Sequence, residues 1–232
     1  ERIAPVQVSY LDWPCSTSNP SIDYFIADEI LVTKEDEKYF TEKIVRMTYS
    51  NQPIDDTFKQ SDKIFTRSDF GISEDDFVFC CFSNPRKISL KDFCLWMNLL
   101  LNRKNSILWL LEPHKSAKKN MLLEAKRMGI SSSRIIFSER MNIRDHINRQ
   151  ACADLTLDTS NFSSGTMTFI SFKSNIPILT QYGKSLSSRV TSSVLKSIGL
   201  NELIAYSRKE YESIALELSE KKDNIIQLKN KI

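Results

Sequence analysis

The sequence predicts an α/β protein whose main part is a parallel sheet with helices on both faces. Two observations lead there. Short, near-continuously apolar runs recur from residue 77 onward, and a helical pattern follows each of them. Strands covered on both faces lose the polar/apolar alternation of a one-sided sheet, and strands separated by helices pair in parallel. A chain of 232 residues, 41% hydrophobic and 26% charged, is also long enough for a sizeable core and for one or two domains.

Residues 1–65 read differently from the rest. Val6, Val8 and Tyr10 begin a strand, Pro14–Pro20 is rich in turn formers, Asp23–Ala27 is a second strand, an acidic helix is expected near 34–42, and Ile44–Met47 is a further apolar run. The polar stretch Ser50–Asp62, with Pro53 and the paired Asp55 and Asp56, reads as an interdomain connection. The expected layout is the end of one α/β lobe plus a linker over 1–65 and a complete α/β lobe over 66–232. A chain that starts at Glu1 and enters a strand almost at once reads as a piece of a longer one.

In the second lobe the expected strands are Phe77–Phe82, Ile107–Leu111, Arg134–Phe137, Leu155–Leu157 and Ile176–Leu179. Ser89 with Asp92 forms a capping box for a helix that presents Phe93, Trp96, Met97 and Leu100 to the sheet. The next helix buries Ala117, Met121, Leu122 and Ala125 and stops near Gly129. Asn142 with Asp145 opens a third, short helix carrying His146 and Arg149. Val190, Val194, Leu195 and Ile198 form one face of a later helix that ends at Gly199. Ser207 with Glu210 caps a helix burying Ile214, Ala215 and Leu218, and the Lys-rich segment to Ile232 reads as a solvated packing helix.

Composition excludes several function classes. The five glycines never lie closer than 16 positions, which rules out the clustered-glycine dinucleotide, Walker A and kinase loops and the nucleophile elbow. A net charge of +3 is too slight for a nucleic-acid footprint. Only His114 and His146 exist, there is no D-x-D, and Cys80, Cys81, Cys94 and Cys152 lack C-x-x-C spacing; no metal set is expected, and the thiols suit a reduced, cytoplasmic protein. No apolar stretch approaches a membrane span and no signal pattern precedes the first strand.

In open parallel sheets ligands bind beyond the carboxyl ends of the strands. Three polar loops fall there: Ser83-Asn84-Pro85-Arg86-Lys87, the segment Ser138–Asn142 leading to His146 and Arg149, and Asp158 to Thr166. The last ends in Ser-Ser-Gly-Thr at an expected helix start, where free N–H groups and the positive dipole end favour an anion. Lys87 would add a full positive charge, a pairing suited to a diphosphate. On the residues alone, Ser-Ser-Gly-Thr is more often a simple helix cap, Lys87 a solvated surface lysine, and His146 a half-buried structural histidine.

At these residues the sequence resembles the catalytic region of protein O-linked N-acetylglucosamine transferases, the SPINDLY-like glycosyltransferase family 41. The resemblance rests on ordered blocks along nearly the whole chain: I-A-P-V-Q-V-S-Y-L-D-W-P, I-D-Y-F-I-A-D, F-V-F-C-C-F-S-N-P-R-K-I, S-I-L-W-L-L, R-I-I-F-S, A-D-L-T-L-D-T, S-S-R-V-T-S-S and L-I-A-Y-S-R-K-E-Y-E. It implies a GT-B architecture of two Rossmann-like lobes, here the end of the first and the whole donor-binding second. It also implies metal-independent, inverting transfer of N-acetylglucosamine from UDP to Ser or Thr hydroxyls of a protein acceptor, with no cofactor, nucleic acid or membrane.

Carried over by the resemblance, Lys87 contacts the donor diphosphate and offsets charge on the departing UDP, with Asn84 a nearby donor contact. Met141, His146 and Arg149 fall beside the nucleotide base. Gly165, Thr166 and Met167 align with a His-Thr-Thr at the diphosphate helix, and Pro14 lies in the loop facing the sugar. The sequence departs from the family at Gly165 and Met167, at Ile170 where an aspartate holds the ribose, and at Ile143 where a lysine lies near it. These departures leave two alternatives beside the transferase: a degenerate member acting as an interaction module, and a related GT-B enzyme using another nucleotide sugar.

Overall fold

A computed structural model describes residues 1–11, 14–55, 57 and 59–232. Asp12 and Trp13 of the first family block, and Asp56 of the expected acidic pair, lie outside the described residues. Among those described, two parallel sheets form. The smaller contains β1 (Val8–Ser9), β2 (Tyr24–Ala27) and β3 (Lys43–Arg46) in that order, with Ser9 opposite Phe25 and Phe25 opposite Ile44. Phe25 and Ala27 point into a small core with Leu31 and Val32, against which Leu186 and Val190 of the second lobe pack.

The acidic helix expected near 34–42 is instead a short 3-10 turn, Glu37–Tyr39, after which Phe40 is extended. The Asp36 carboxylate accepts from the Thr33 hydroxyl and from Arg189, far along the chain, so side-chain bonds fix this segment. The polar connection after Ser50 lies along the second lobe: Arg144 donates to the Lys59 carbonyl, Gln60 to that of Lys173, and Asn148 to that of Ser61.

The second lobe runs β4 (Phe77–Cys81), α1 (Leu90–Asn102), β5 (Ser106–Leu111), α2 (Lys115–Arg127), β6 (Ile135–Ser138), α3 (Ile143–Gln150), β7 (Leu155–Leu157), α4 (Thr166–Lys173), β8 (Ile178–Gln181), α5 (Val190–Ser197), β9 (Ile204–Ala205), α6 (Arg208–Glu220) and α7 (Lys222–Lys231). Its strands pair in parallel in the order β6-β5-β4-β7-β8-β9. The continuous apolar run of β4 has its expected cause: Phe77, Phe79 and Cys81 enter one core, and Val78, Cys80 and Phe82 enter another on the opposite face. β8 starts two residues later than expected. Ile176 is fully buried, but Pro177 has no N–H to give the ladder. β9, only two residues long, was not anticipated from the sequence.

The caps follow the sequence closely. Ser89 and Asp92 exchange both capping-box bonds at the start of α1, and Phe93, Trp96, Met97 and Leu100 are buried on the sheet. The Asn142 carboxamide oxygen accepts from the Asp145 N–H at 3.0 Å, and the Ser207 hydroxyl from the Glu210 N–H at 3.1 Å. On α2 only Ala125 is fully buried, with Met121 and Leu122 packed at the margin of the core. Ile198, placed on the buried face of α5 by its spacing, is exposed instead because the helix closes at Ser197. The terminal α7 packs through Ile225 and Leu228.

Candidate functional site

The order in which strands are added reverses between β4 and β7, the two central and parallel neighbours in the sheet, so the loops leaving them diverge and open a crevice. After β4, a 3-10 turn over Pro85–Lys87 is set by the Asn84 carboxamide, which accepts from the Arg86 N–H at 3.1 Å, and by Pro85 at its first position. That turn projects Lys87 across the crevice. Its ammonium donates to the Ser163 carbonyl at 3.0 Å and lies 4.3 Å from the centre of the Phe162 ring. Burial pushes the ammonium below the ordinary lysine range, while the nearby Asp158 carboxylate acts in the opposite sense.

After β7 the loop from Asp158 to Gly165 is tied down by its own polar groups. Asp158 is buried at the strand end, and its carboxylate accepts from the Ser164 hydroxyl at 2.6 Å, the Thr180 hydroxyl at 2.7 Å and the Thr159 N–H at 2.8 Å. Burial pushes this carboxyl above the usual range against the pull of those donors. The Ser160 hydroxyl reaches Asp92 on α1 at 2.6 Å, and the Ser163 N–H bonds the Ser187 carbonyl at 2.8 Å. Gly165, at φ 56° and ψ −119°, then turns the chain into α4, a backbone conformation side chains rarely adopt. At the start of α4 the Met167 N–H bonds the Ser164 carbonyl at 3.1 Å and the Thr168 N–H bonds that of Gly165 at 2.9 Å, so Thr166 is the residue whose N–H opens the turn.

These parts line one cleft of about 390 Å³. Lys87, Phe162, Ser163, Ser164, Gly165 and Thr166 form one wall. Leu11, Pro14, Phe25, Leu31, Asn51 and Gln52 of the small sheet's lobe form the other, with Leu186, Ser187 and Val190 at the start of α5. A lysine, a helix N-terminus and serine residues thus share one concave surface between two lobes, a chemistry that suits a phosphorylated ligand.

A family model described as glycosyl transferase family 41 matches residues 50–232. The chain belongs to glycosyltransferase family 41. Among its relatives, a protein of Arabidopsis thaliana named probable UDP-N-acetylglucosamine–peptide N-acetylglucosaminyltransferase SEC is 30% identical over 93% of this chain and 23% of its own length. A Caenorhabditis elegans UDP-N-acetylglucosamine–peptide N-acetylglucosaminyltransferase is 32% identical over 72% of this chain and 14% of its own. A mutant of the O-GlcNAc transferase of Thermobaculum terrenum superposes with a TM-score of 0.84 at 25% identity, over 98% of this chain and 43% of that one. The family 41 chain therefore has the GT-B architecture and spans less than a quarter of the length of these curated relatives.

Of the residues singled out from sequence, Pro14, Lys87, Gly165 and Thr166 meet in the cleft. Asn84 is exposed and lines a shallow neighbouring depression that shares Lys87 and Phe162. Met141 is half-buried in the loop before α3. His146 and Arg149 form a separate buried pair behind Phe82: the His146 ring meets Phe82 edge-on at 4.9 Å, and the guanidinium lies 4.6 Å from the same ring. Arg149 donates to the Glu139 carbonyl at 2.7 Å and to Nδ1 of His146 at 2.9 Å. Arginine has no acceptor, so Nδ1 carries no proton and the neutral imidazole is protonated on Nε2. Burial, then the adjacent guanidinium, pushes His146 down to about 3. Burial also pushes Arg149 down to about 10, and its Nε has no partner among the described residues. Met167 packs against the core containing Val78, Cys80 and Phe82. Ile170 is buried and Ile143 exposed.

Sequence reasoning placed Ser163 and Ser164 at the anion-favouring helix start but assigned no role to Asp158 or Phe162. The available signal was an aspartate directly after an apolar strand, followed by five hydroxyl residues before Met167 and one aromatic.

Proposed function

We propose that this family 41 chain is the donor-binding region of a cytoplasmic protein O-GlcNAc transferase. It would move N-acetylglucosamine from UDP-N-acetylglucosamine to Ser or Thr hydroxyls of a protein acceptor, with inversion and without a metal. The observation that carries this reading is the convergence of the Lys87 ammonium and the N-terminus of α4 on one interlobe cleft. The activities for which the Arabidopsis and Caenorhabditis relatives are named support it. In this reading the acceptor oxygen bonds the anomeric carbon as the bond from that carbon to the diphosphate breaks, and the hydroxyl proton passes to the departing diphosphate. Lys87, released from the Ser163 carbonyl, would meet the negative charge that grows on the leaving oxygen, an interaction stronger in the transition state than in the ground state. Among the described residues no helix is long and apolar enough to cross a membrane.

A second reading, a non-catalytic interaction module, is favoured by one arrangement: Met167 is half-buried against the core, Ile170 is buried, and His146 and Arg149 are bonded to each other. Transfer of labelled N-acetylglucosamine from UDP-N-acetylglucosamine to a Ser/Thr peptide by the full-length protein separates the two. Transfer abolished by Lys87→Met supports the enzyme; a folded full-length protein with no transfer supports the module.

A further inference from the structure

The amino edge of the large sheet, opposite the donor cleft, holds a second cavity of about 280 Å³. It lies between Phe77 at the start of β4, Arg103 after α1, and Ile225, Ile226 and Lys229 of α7. Arg67 and Asp154 line it as a closed pair: Nη2 of Arg67 is 2.9 Å from both Asp154 oxygens, and Asp154 also accepts from the Val78 N–H at 2.7 Å. The half-buried Asp76 acts on the Arg134 guanidinium, the Glu74 side chain is 80% exposed, and Asp75 is exposed at the mouth.

Two cations that line the cavity, Arg103 and Lys229, belong to no ion pair among the described residues. The Arg103 Nε is buried with no hydrogen-bond partner among the described residues. Lys229 is half-buried, no ion pair among the described residues includes it, and burial pushes its ammonium down more than Asp154 holds it up. The Arg103 guanidinium and the Lys229 ammonium both line the cavity, and an anion entering it would meet two cations without first breaking an ion pair. Phe77, Ile225 and Ile226 give the same cavity apolar walls.

We propose that this cavity is a second ligand site for a small organic anion, whose carboxylate or phosphate sits between Arg103 and Lys229 and whose apolar body lies against Phe77, Ile225 and Ile226. Such a ligand would tie α7 to the sheet. The site is independent of the donor cleft and of the activity assigned there.

Calorimetric titration of the full-length protein with phenyl phosphate, benzoate and inorganic phosphate tests this. The expected result is saturable binding of phenyl phosphate or benzoate, tighter than inorganic phosphate and unchanged by saturating UDP. That binding should weaken about tenfold or more in Arg103→Gln and in Lys229→Gln, as loss of a charge-assisted hydrogen bond requires. The order of the two organic anions identifies the head group preferred. Lys229→Gln changes a half-exposed position on the last helix and gives the answer if Arg103→Gln does not fold. No saturable binding of either organic anion, displacement by UDP, or unchanged affinity in Lys229→Gln would overturn the proposal.

Discussion

Arg189 and Asp36 join the two lobes through an ion pair at 2.5 Å, although 153 residues separate them. The guanidinium also donates to the carbonyls of Gly183 at 2.8 Å and Lys184 at 2.7 Å, so one buried side chain fixes the loop before α5 and the 3-10 turn beside the small sheet. The Ser193 hydroxyl repeats the link at 2.7 Å to Asp28. Arg189→Ala should destabilise the protein by about 2 kcal/mol, discounted from the ~3–5 of a fully buried pair because Asp36 is partly exposed. The shift in urea midpoint reads this, and an unchanged midpoint would show that the lobes are held without the pair.

Asp158 organises the loop that forms one wall of the cleft. Asp158→Ala leaves the Ser164 and Thr180 hydroxyls and the Thr159 N–H without their acceptor, at ~1–3 kcal/mol for each donor that stays unsatisfied. We expect a loss of about 2 kcal/mol or more in chemical denaturation, together with weaker UDP binding.

Gly165 is needed for its backbone rather than for space, since an added Cβ would meet nothing within 4 Å. At its positive φ, Gly165→Ala should cost about 1–3 kcal/mol of stability. Because the change tilts the first N–H groups of α4, it should also weaken UDP binding. A variant as stable as the parent would contradict the assigned conformation.

His146 stays neutral in the fold down to about pH 3, whereas in the unfolded chain it titrates near its ordinary value of about 6.5. Between those values the unfolded chain binds one more proton, so stability falls as pH falls, by at most ~1.4 kcal/mol per pH unit. Equilibrium unfolding between pH 7 and 5 should show this slope, and His146→Gln should remove that part of it. In an NMR titration the ring should not take up a proton above pH 5.

The sheet was legible in the sequence because its strands are buried on both faces and leave uninterrupted apolar runs, as in Phe77–Cys81 and Ser106–Leu111. Helix starts were legible because Ser89, Asn142 and Ser207 cap locally, within three residues of their partners. The helix near residue 37 was misread because Asp36 is taken by Arg189, a contact that no local window contains. In the site, Lys87 and Gly165 could be placed because each sits at the end of a recognisable strand or the start of a helix. The pairing of Arg149 with His146 joins positions i and i+3 of α3 and follows from spacing, whereas the scaffold around Asp158 depends on tertiary approach, which neither spacing nor composition encodes.

The central claim is that the cleft between the lobes holds a diphosphate through Lys87, and UDP titration by calorimetry tests it most directly. The wild-type protein should bind UDP, Lys87→Ala should bind it about 10–100-fold more weakly, and the variant should keep its urea midpoint within about 0.5 kcal/mol. Equal UDP affinity in the two proteins, or no UDP binding by a folded wild type, would contradict the account.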